Sequence, residues 1–144
     1  ADMGNAVFVA AMLELPTMAF FTKMSEKINC GTLIKFSILM FVVKHALTYF
    51  ATNMIMIYLA QVCQMFAYAL FVPASVYYVN KKIAVADRVK GQSLVTTSMT
   101  LSGVFANFAG GIMLDALGVG HVLLAGVVLS IVGAVIVISM TEKV

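Results

Sequence analysis

Residues 122–140 read VLLAGVVLSIVGAVIVISM and contain no charged side chain. A helix that spans a bilayer needs about 20 apolar residues, whereas strands of soluble proteins seldom exceed about 10. The run also lacks the period-two alternation of a half-buried strand. It therefore predicts a transmembrane helix.

Four further apolar runs of helix length precede this one and are separated from each other by polar segments or tight turns. The predicted spans are residues 4–22, 32–51, 54–79, 92–114 and 122–140. The chain is 62% hydrophobic and only 10% charged. This composition excludes a disordered chain and a disulfide-stapled secreted domain. The sequence predicts an all-α, polytopic transmembrane helix bundle with five spans.

The basic residues indicate how the bundle is oriented. Eight of the nine Lys and Arg residues fall on one side of the predicted membrane, which the positive-inside rule assigns to the cytoplasm. We therefore expect a multi-pass protein of the bacterial inner membrane, with its N-terminus outside and its C-terminus cytoplasmic. Because the basic residues are scattered, no nucleic-acid partner is expected. An odd number of spans and a start at Ala1 suggest a piece of a longer chain.

Motifs of enzymes and metal sites are absent from the sequence. There is no P-loop, HExxH, GxSxG or paired-carboxylate pattern, and Cys30 and Cys63 stand in no CxxC or Cys/His arrangement. We expect neither enzymatic activity nor a cofactor or metal.

Two charged residues lie far from the ends of their predicted spans, Glu14 in the first and Lys44 in the second, whereas Lys35 lies beside the loop that precedes the second span. A charge at mid-membrane costs about 2.5–3.5 kcal/mol on insertion scales and usually meets a partner or a hydrated cavity. We interpret the two as a charge pair or as substrate contacts. The alternatives are a structural ion pair, or a Lys44 side chain that extends outward to the membrane surface. His45, next to Lys44, is either a proton carrier or a packing residue.

Polar residues also recur along one face of the third span, where Gln61 and Tyr68 share a stripe and Gln64 lies beside it. Such amides and hydroxyls suit a sugar or a heterocyclic ligand, or else hydrogen bonds between helices. The fourth and fifth spans carry small residues at four-residue spacing, which predict packing seams: Gly103, Asn107 and Gly111, then Gly126, Ser130 and Ala134. Asn107 is the exception that we expect to reach a ligand.

The order of several short motifs resembles the C-terminal half of a major facilitator superfamily transporter. These are Glu14-Leu-Pro-Thr-Met-Ala-Phe-Phe, a basic loop, Val43-Lys44, Gln64-Met-Phe and Asp87-Arg88-Val-Lys-Gly91. Within the superfamily, the chain is most similar to the lactose-permease-like oligosaccharide/proton symporters and to the nucleoside/proton symporters. The resemblance covers essentially all of the chain and implies helices eight to twelve of a twelve-helix fold, with alternating access between two halves.

The resemblance also implies roles for individual residues. Glu14 stands where that branch has a sugar-binding glutamate, and Lys44 stands where it has an essential arginine. Gln64 replaces a histidine, and Ala67 replaces the carboxylate that takes the proton. Coupling in this chain would then rest on Glu14, on His45 or on the missing N-terminal half.

The resulting hypothesis is a fragment of a secondary carrier that takes up a sugar or nucleoside together with protons. Its substrate-binding residues would be Glu14, Lys44, Gln61, Gln64, Tyr68 and Asn107, and its proton-coupling residues Glu14 and His45. Its partners would be the solute, protons, the lipid bilayer and the N-terminal half. The alternatives are an efflux carrier for drugs or metabolites and a non-transporting assembly or sensor module.

Overall fold

The computed structural model describes residues 2–142, although most side chains of residues 2–17 lie outside the described part. The described chain is entirely helical, as the sequence predicts. Five α-helices and one short 3-10 turn between α3 and α4 follow each other: α1 Asp2–Lys27, α2 Cys30–Tyr49, α3 Met54–Lys82, the turn Val85–Asp87, α4 Arg88–Leu117 and α5 Val119–Met140.

Within the described residues, four segments are long and apolar enough to cross a membrane. They are Cys30–Tyr49, Met54–Lys82, Val85–Leu117 and Val119–Met140. The first predicted span, residues 4–22, lies within the 26 residues of α1, and its insertion stays a prediction. The helices are longer than the apolar runs, since α3 continues to Lys82 and α4 already begins at Arg88. Hydropathy marks the hydrocarbon core, whereas a helix continues with polar side chains through the membrane interface.

The turn between α2 and α3 and the turn between α4 and α5 differ in length. The predicted turn at Thr52-Asn53 is confirmed, because the side chain of Asn53 accepts a hydrogen bond from the Met56 amide at 3.0 Å and caps α3. The predicted spans also leave residues 115–121 between the fourth and the fifth span as a glycine-containing turn, and this prediction is wrong. A single residue, Gly118, with φ at 80°, separates α4 from α5. Glycine adopts this left-handed conformation without a steric penalty. One residue is therefore enough to connect the two helices.

The core of the bundle lies around α2 and α3. α3 packs against α1 and α2, and α2 also packs against α5. The buried cluster consists of Phe21 from α1, Leu33 and Ile34 from α2, and Leu70 and Ala74 from α3. Helix association in a bilayer depends on close packing, and the small buried residues of α3 permit a close approach of the backbones.

By contrast, α4 is peripheral, and Gly91 is its one buried residue. The packing seam predicted along α4 is wrong for the described chain, because Asn107 and Gly111 are exposed and a Cβ added at Gly103 or Gly111 would meet no atom within 4 Å. The seam on α5 is partly confirmed, since Ala134 is buried. Spacing of small residues identifies helices that can pack closely but does not show what covers them.

The bundle is tied together where α3 ends and α4 begins, which we call the α3–α4 end. Glu142, just after α5, forms an ion pair with Lys82 of α3, and its amide donates to the Tyr78 hydroxyl at 3.3 Å. The hydrogen bond from Lys82 holds the pKa of Glu142 below its usual range. This contact is therefore present above the usual glutamate pKa and is lost only as the pH falls through the lowered value.

We predict that Gly91→Ala destabilises the protein by about 1–3 kcal/mol through overpacking. A Cβ at this position would lie 2.5 Å from Ile83 Cδ1 and 2.9 Å from Val79 Cγ1. Gly110→Ala in the same helix is the matched control, because its Cβ would meet nothing within 4 Å. The measurement is thermal unfolding followed with a thiol-reactive dye, since Cys30 is fully buried in the folded chain. Equal midpoints for the two variants would contradict the close approach at Gly91.

Candidate functional site

A lysine and a glutamine from neighbouring helices meet inside the bundle. The ammonium of Lys44 on α2 donates a hydrogen bond to Oε1 of Gln64 on α3 at 2.5 Å, and both residues are half-buried. A hydrogen bond from a charged donor contributes about 1.5–3 kcal/mol. That is comparable to the cost of about 2.5–3.5 kcal/mol for placing the cation at mid-membrane. Gln64 therefore stabilises a charge that the bilayer disfavours.

The direction of the Lys44 side chain excludes the interpretation in which it extends outward. Gln64 lies ten residues after the start of α3 at Met54, about 15 Å along the helix and near the middle of a hydrocarbon core of about 30 Å. Lys44 is only five residues from the end of α2 at Tyr49. Side chains of a helix lean toward its N-terminus, so Lys44 leans away from the nearer surface and toward Gln64.

His45, the next residue, is held by its own helix. Its Nδ1 lies 2.7 Å from the carbonyl oxygen of Phe41, and its ring stacks on the Phe41 ring with the centroids 6.5 Å apart. Because a carbonyl only accepts, Nδ1 carries the proton in the neutral ring, and Nε2 is left as an acceptor. On the α5 side, a Cβ at Gly126 would lie 3.4 Å from Cδ2 of His45. The absence of a side chain at Gly126 leaves space for the ring.

His45 and Tyr68 line one groove of about 880 Å³ between α2, α3 and α4. The wall is mostly apolar and includes the aromatic rings of Phe41 and Phe71. Polar atoms come from His45, Tyr68 and the hydroxyls of α4, of which Ser102 donates to the carbonyl of Ser98 at 2.7 Å. An apolar pocket with a few polar groups is typical of a site for a small molecule.

The remaining predicted site residues are more scattered. Gln61 is half-buried on α3, and neither Gln61 nor Gln64 lines the groove. Asn107 is exposed and donates to the carbonyl of Gly103 in its own helix at 2.9 Å. The side chain of Glu14 lies outside the described residues, so its pairing with Lys44 stays a prediction. The structure therefore brings together Lys44 with Gln64, and His45 with Tyr68.

Sequence reasoning missed the contribution of α4 to the groove. Ser98 and Ser102 stand one turn apart in a hydroxyl-rich segment, residues 93–102. That spacing was a usable signal for one face of the helix. Phe41 and Phe71 gave no signal, because aromatic residues are common on every face of a membrane helix.

A polytopic helical bundle with a cation between two spans and an open groove beside them is an arrangement that a membrane transport protein can have. The sequence profile of the Major Facilitator Superfamily matches residues 1–143. The chain belongs to this superfamily, whose members are multi-pass membrane transporters of small molecules and not enzymes. Comparison with curated proteins and with solved structures found no match.

We predict that the groove contains water, as a transport pathway requires. Ser98→Cys and Ser102→Cys, each in a Cys63→Ser background, should react rapidly with a water-soluble, charged thiol reagent. Leu129→Cys on α5 is the matched control, because Leu129 is 70% exposed in the isolated chain but does not line the groove. A thiol in lipid stays protonated and unreactive. If the Ser102→Cys variant reacts no faster than Leu129→Cys, the groove is dry and serves only packing.

Proposed function

We propose that the chain is the C-terminal part of a proton-coupled carrier that takes up a small polar solute, a sugar or a nucleoside, by alternating access. The observation that carries the proposal is the Lys44–Gln64 hydrogen bond inside the bundle. A bilayer-spanning protein keeps a mid-membrane cation mainly where it contacts a partner, a solute or water. The site would be completed by an N-terminal half across the central cavity.

The groove supports a nucleoside over a plain sugar. Its aromatic wall, with Phe41 and Phe71, offers faces on which a heterocyclic base can stack. Tyr68, 44% exposed, offers a hydroxyl that both donates and accepts. Lys44 and Gln64 do not line the groove, and in this proposal they bind polar groups of the solute from beside it. Gln61 and Asn107 lie along the route that the solute takes through the protein.

Proton coupling is assigned to Glu14 and His45. Ala67, at the position where the similar symporters have a carboxylate, cannot take a proton. The Nε2 atom of His45 is available because Nδ1 is held by the Phe41 carbonyl. In the orientation that the basic residues indicate, the proton and the solute enter from outside and leave into the bacterial cytoplasm.

Uptake of radiolabelled nucleosides and sugars tests the proposal in cells that express the protein from its native reading frame. Lower external pH should accelerate uptake of one class, because the inward proton gradient is then steeper. Glu14→Gln and Lys44→Ala should each reduce this uptake at least about tenfold, the change expected when a charged contact is lost. Lys81→Ala, which removes a lysine at the α3–α4 end, is the matched control and should transport normally.

Uptake that is unchanged in the Glu14→Gln and Lys44→Ala variants would refute the assigned site. The absence of uptake for every solute would favour the second candidate, efflux of an amphipathic compound. The largely apolar wall of the groove supports that candidate. Dye efflux from the same cells distinguishes the two directions of transport.

A further inference from the structure

A cleft lined mainly by polar residues lies at the α3–α4 end, away from the groove described above. It has a volume of about 480 Å³ and is formed between Asn80 on α3 and the first turns of α4. Its polar lining comes from Asn80, Arg88, Gln92, Ser93, Thr96 and Thr97. No carboxylate lines this cleft.

The acidic groups near the cleft are already paired with lysines. Asp87 accepts a hydrogen bond from Lys90 at 2.8 Å, and Glu142 is paired with Lys82. Arg88, by contrast, makes no hydrogen bond or ion pair with the described residues, and its Nε atom is buried without a partner. A guanidinium in this position lacks an anion, and its planar donors match the oxygens of a phosphate.

The other groups in the cleft are neutral donors. The Gln92 side-chain amide donates to the Val76 carbonyl at 2.9 Å and to Oδ1 of Asn80 at 3.3 Å. Because Oδ1 accepts from Gln92, the Nδ2 amide of Asn80 remains to donate. The hydroxyls of Ser93 and Thr97 add further donors. One cation with several neutral donors suits a monoanion with several oxygens, such as a phosphodiester.

An apolar groove continues from the cleft along α4. This second cavity, of about 270 Å³, shares Thr96 and Thr97 with the cleft and extends to Leu101 and Val104. The Thr100 hydroxyl donates to the Thr96 carbonyl at 3.0 Å, which satisfies the hydroxyl within the helix. From Arg88 to Leu101 the helix rises about 20 Å, close to one leaflet of a bilayer of about 40–45 Å. A free phosphate would fill only the cleft.

We propose that this cleft and groove bind one anionic phospholipid. Its phosphate contacts the Arg88 guanidinium, the Asn80 amide and the Thr97 hydroxyl, and one acyl chain lies along Leu101 and Val104. Basic pockets between transmembrane helices at an interface are a recognised way to hold anionic headgroups. The lipid supplies the anion that Arg88 lacks and covers part of α4, in which Gly91 is the one buried residue.

Native mass spectrometry tests the proposal on the protein expressed from its native reading frame, in a neutral detergent. The probes are phosphatidylglycerol, phosphatidylcholine with the same acyl chains, and inorganic phosphate. The first phosphatidylglycerol should bind about tenfold tighter than phosphatidylcholine, and Arg88→Gln should remove this preference because it deletes a charge-assisted contact. Inorganic phosphate should not displace the lipid.

Two further variants separate the site from general charge effects and from misfolding. Lys81→Gln removes one positive charge from the same end of the bundle but does not line the cleft, so it should retain the preference. Thr97→Val keeps the shape of the side chain and removes its hydroxyl, and it should weaken the binding of the first phosphatidylglycerol severalfold. The proposal would be overturned if the two lipids bound equally well or if Arg88→Gln kept the preference for phosphatidylglycerol. It would also be overturned if Lys81→Gln lost this preference as fully as Arg88→Gln. Displacement by millimolar phosphate would show an anion site instead of a lipid site.

Discussion

The hydrogen bond between Lys44 and Gln64 is the constraint on which the centre of this bundle depends. It holds an ammonium group near mid-membrane, at a depth where a lone charge costs about 2.5–3.5 kcal/mol. The bond also fixes the register of α2 against α3, because a shift of one turn, about 5.4 Å, would separate the two groups. The neighbouring residue, His45, is held against Phe41 within α2 and faces Gly126 of α5.

The packing divides the bundle into a tight part and a loose part. α2 and α3 share the buried cluster with α1, and α5 closes against α2. α4 contributes one buried residue, Gly91, and otherwise borders the open groove. A carrier needs elements that move against a stable frame. The described contacts place the cation in the frame and the groove at its edge, so motion of α4 would alter the groove without breaking the Lys44–Gln64 bond.

The sequence predicted the helical class because uncharged runs such as residues 122–140 admit no other structure in a bilayer. It predicted Lys44 as a site residue from the energetic cost of its position alone. It placed Gln64 beside the stripe but not in contact with Lys44, because register depends on how the two helices pack. It failed at the α4–α5 turn, where the positive φ of Gly118 allows a one-residue connection. It also failed for α4, since the spacing of Gly103, Asn107 and Gly111 does not reveal whether a neighbour is present.

A double-mutant cycle between Lys44 and Gln64 tests the central claim most directly. The midpoints of thermal unfolding would be measured for Lys44→Met, Gln64→Leu and the double variant, using the fully buried Cys30 as the reporter. The account predicts a coupling free energy of about 1–3 kcal/mol between the two residues. The double variant should then be at least as stable as the weaker of the two single variants. Additive effects would show that the two residues do not depend on each other, and would contradict the account.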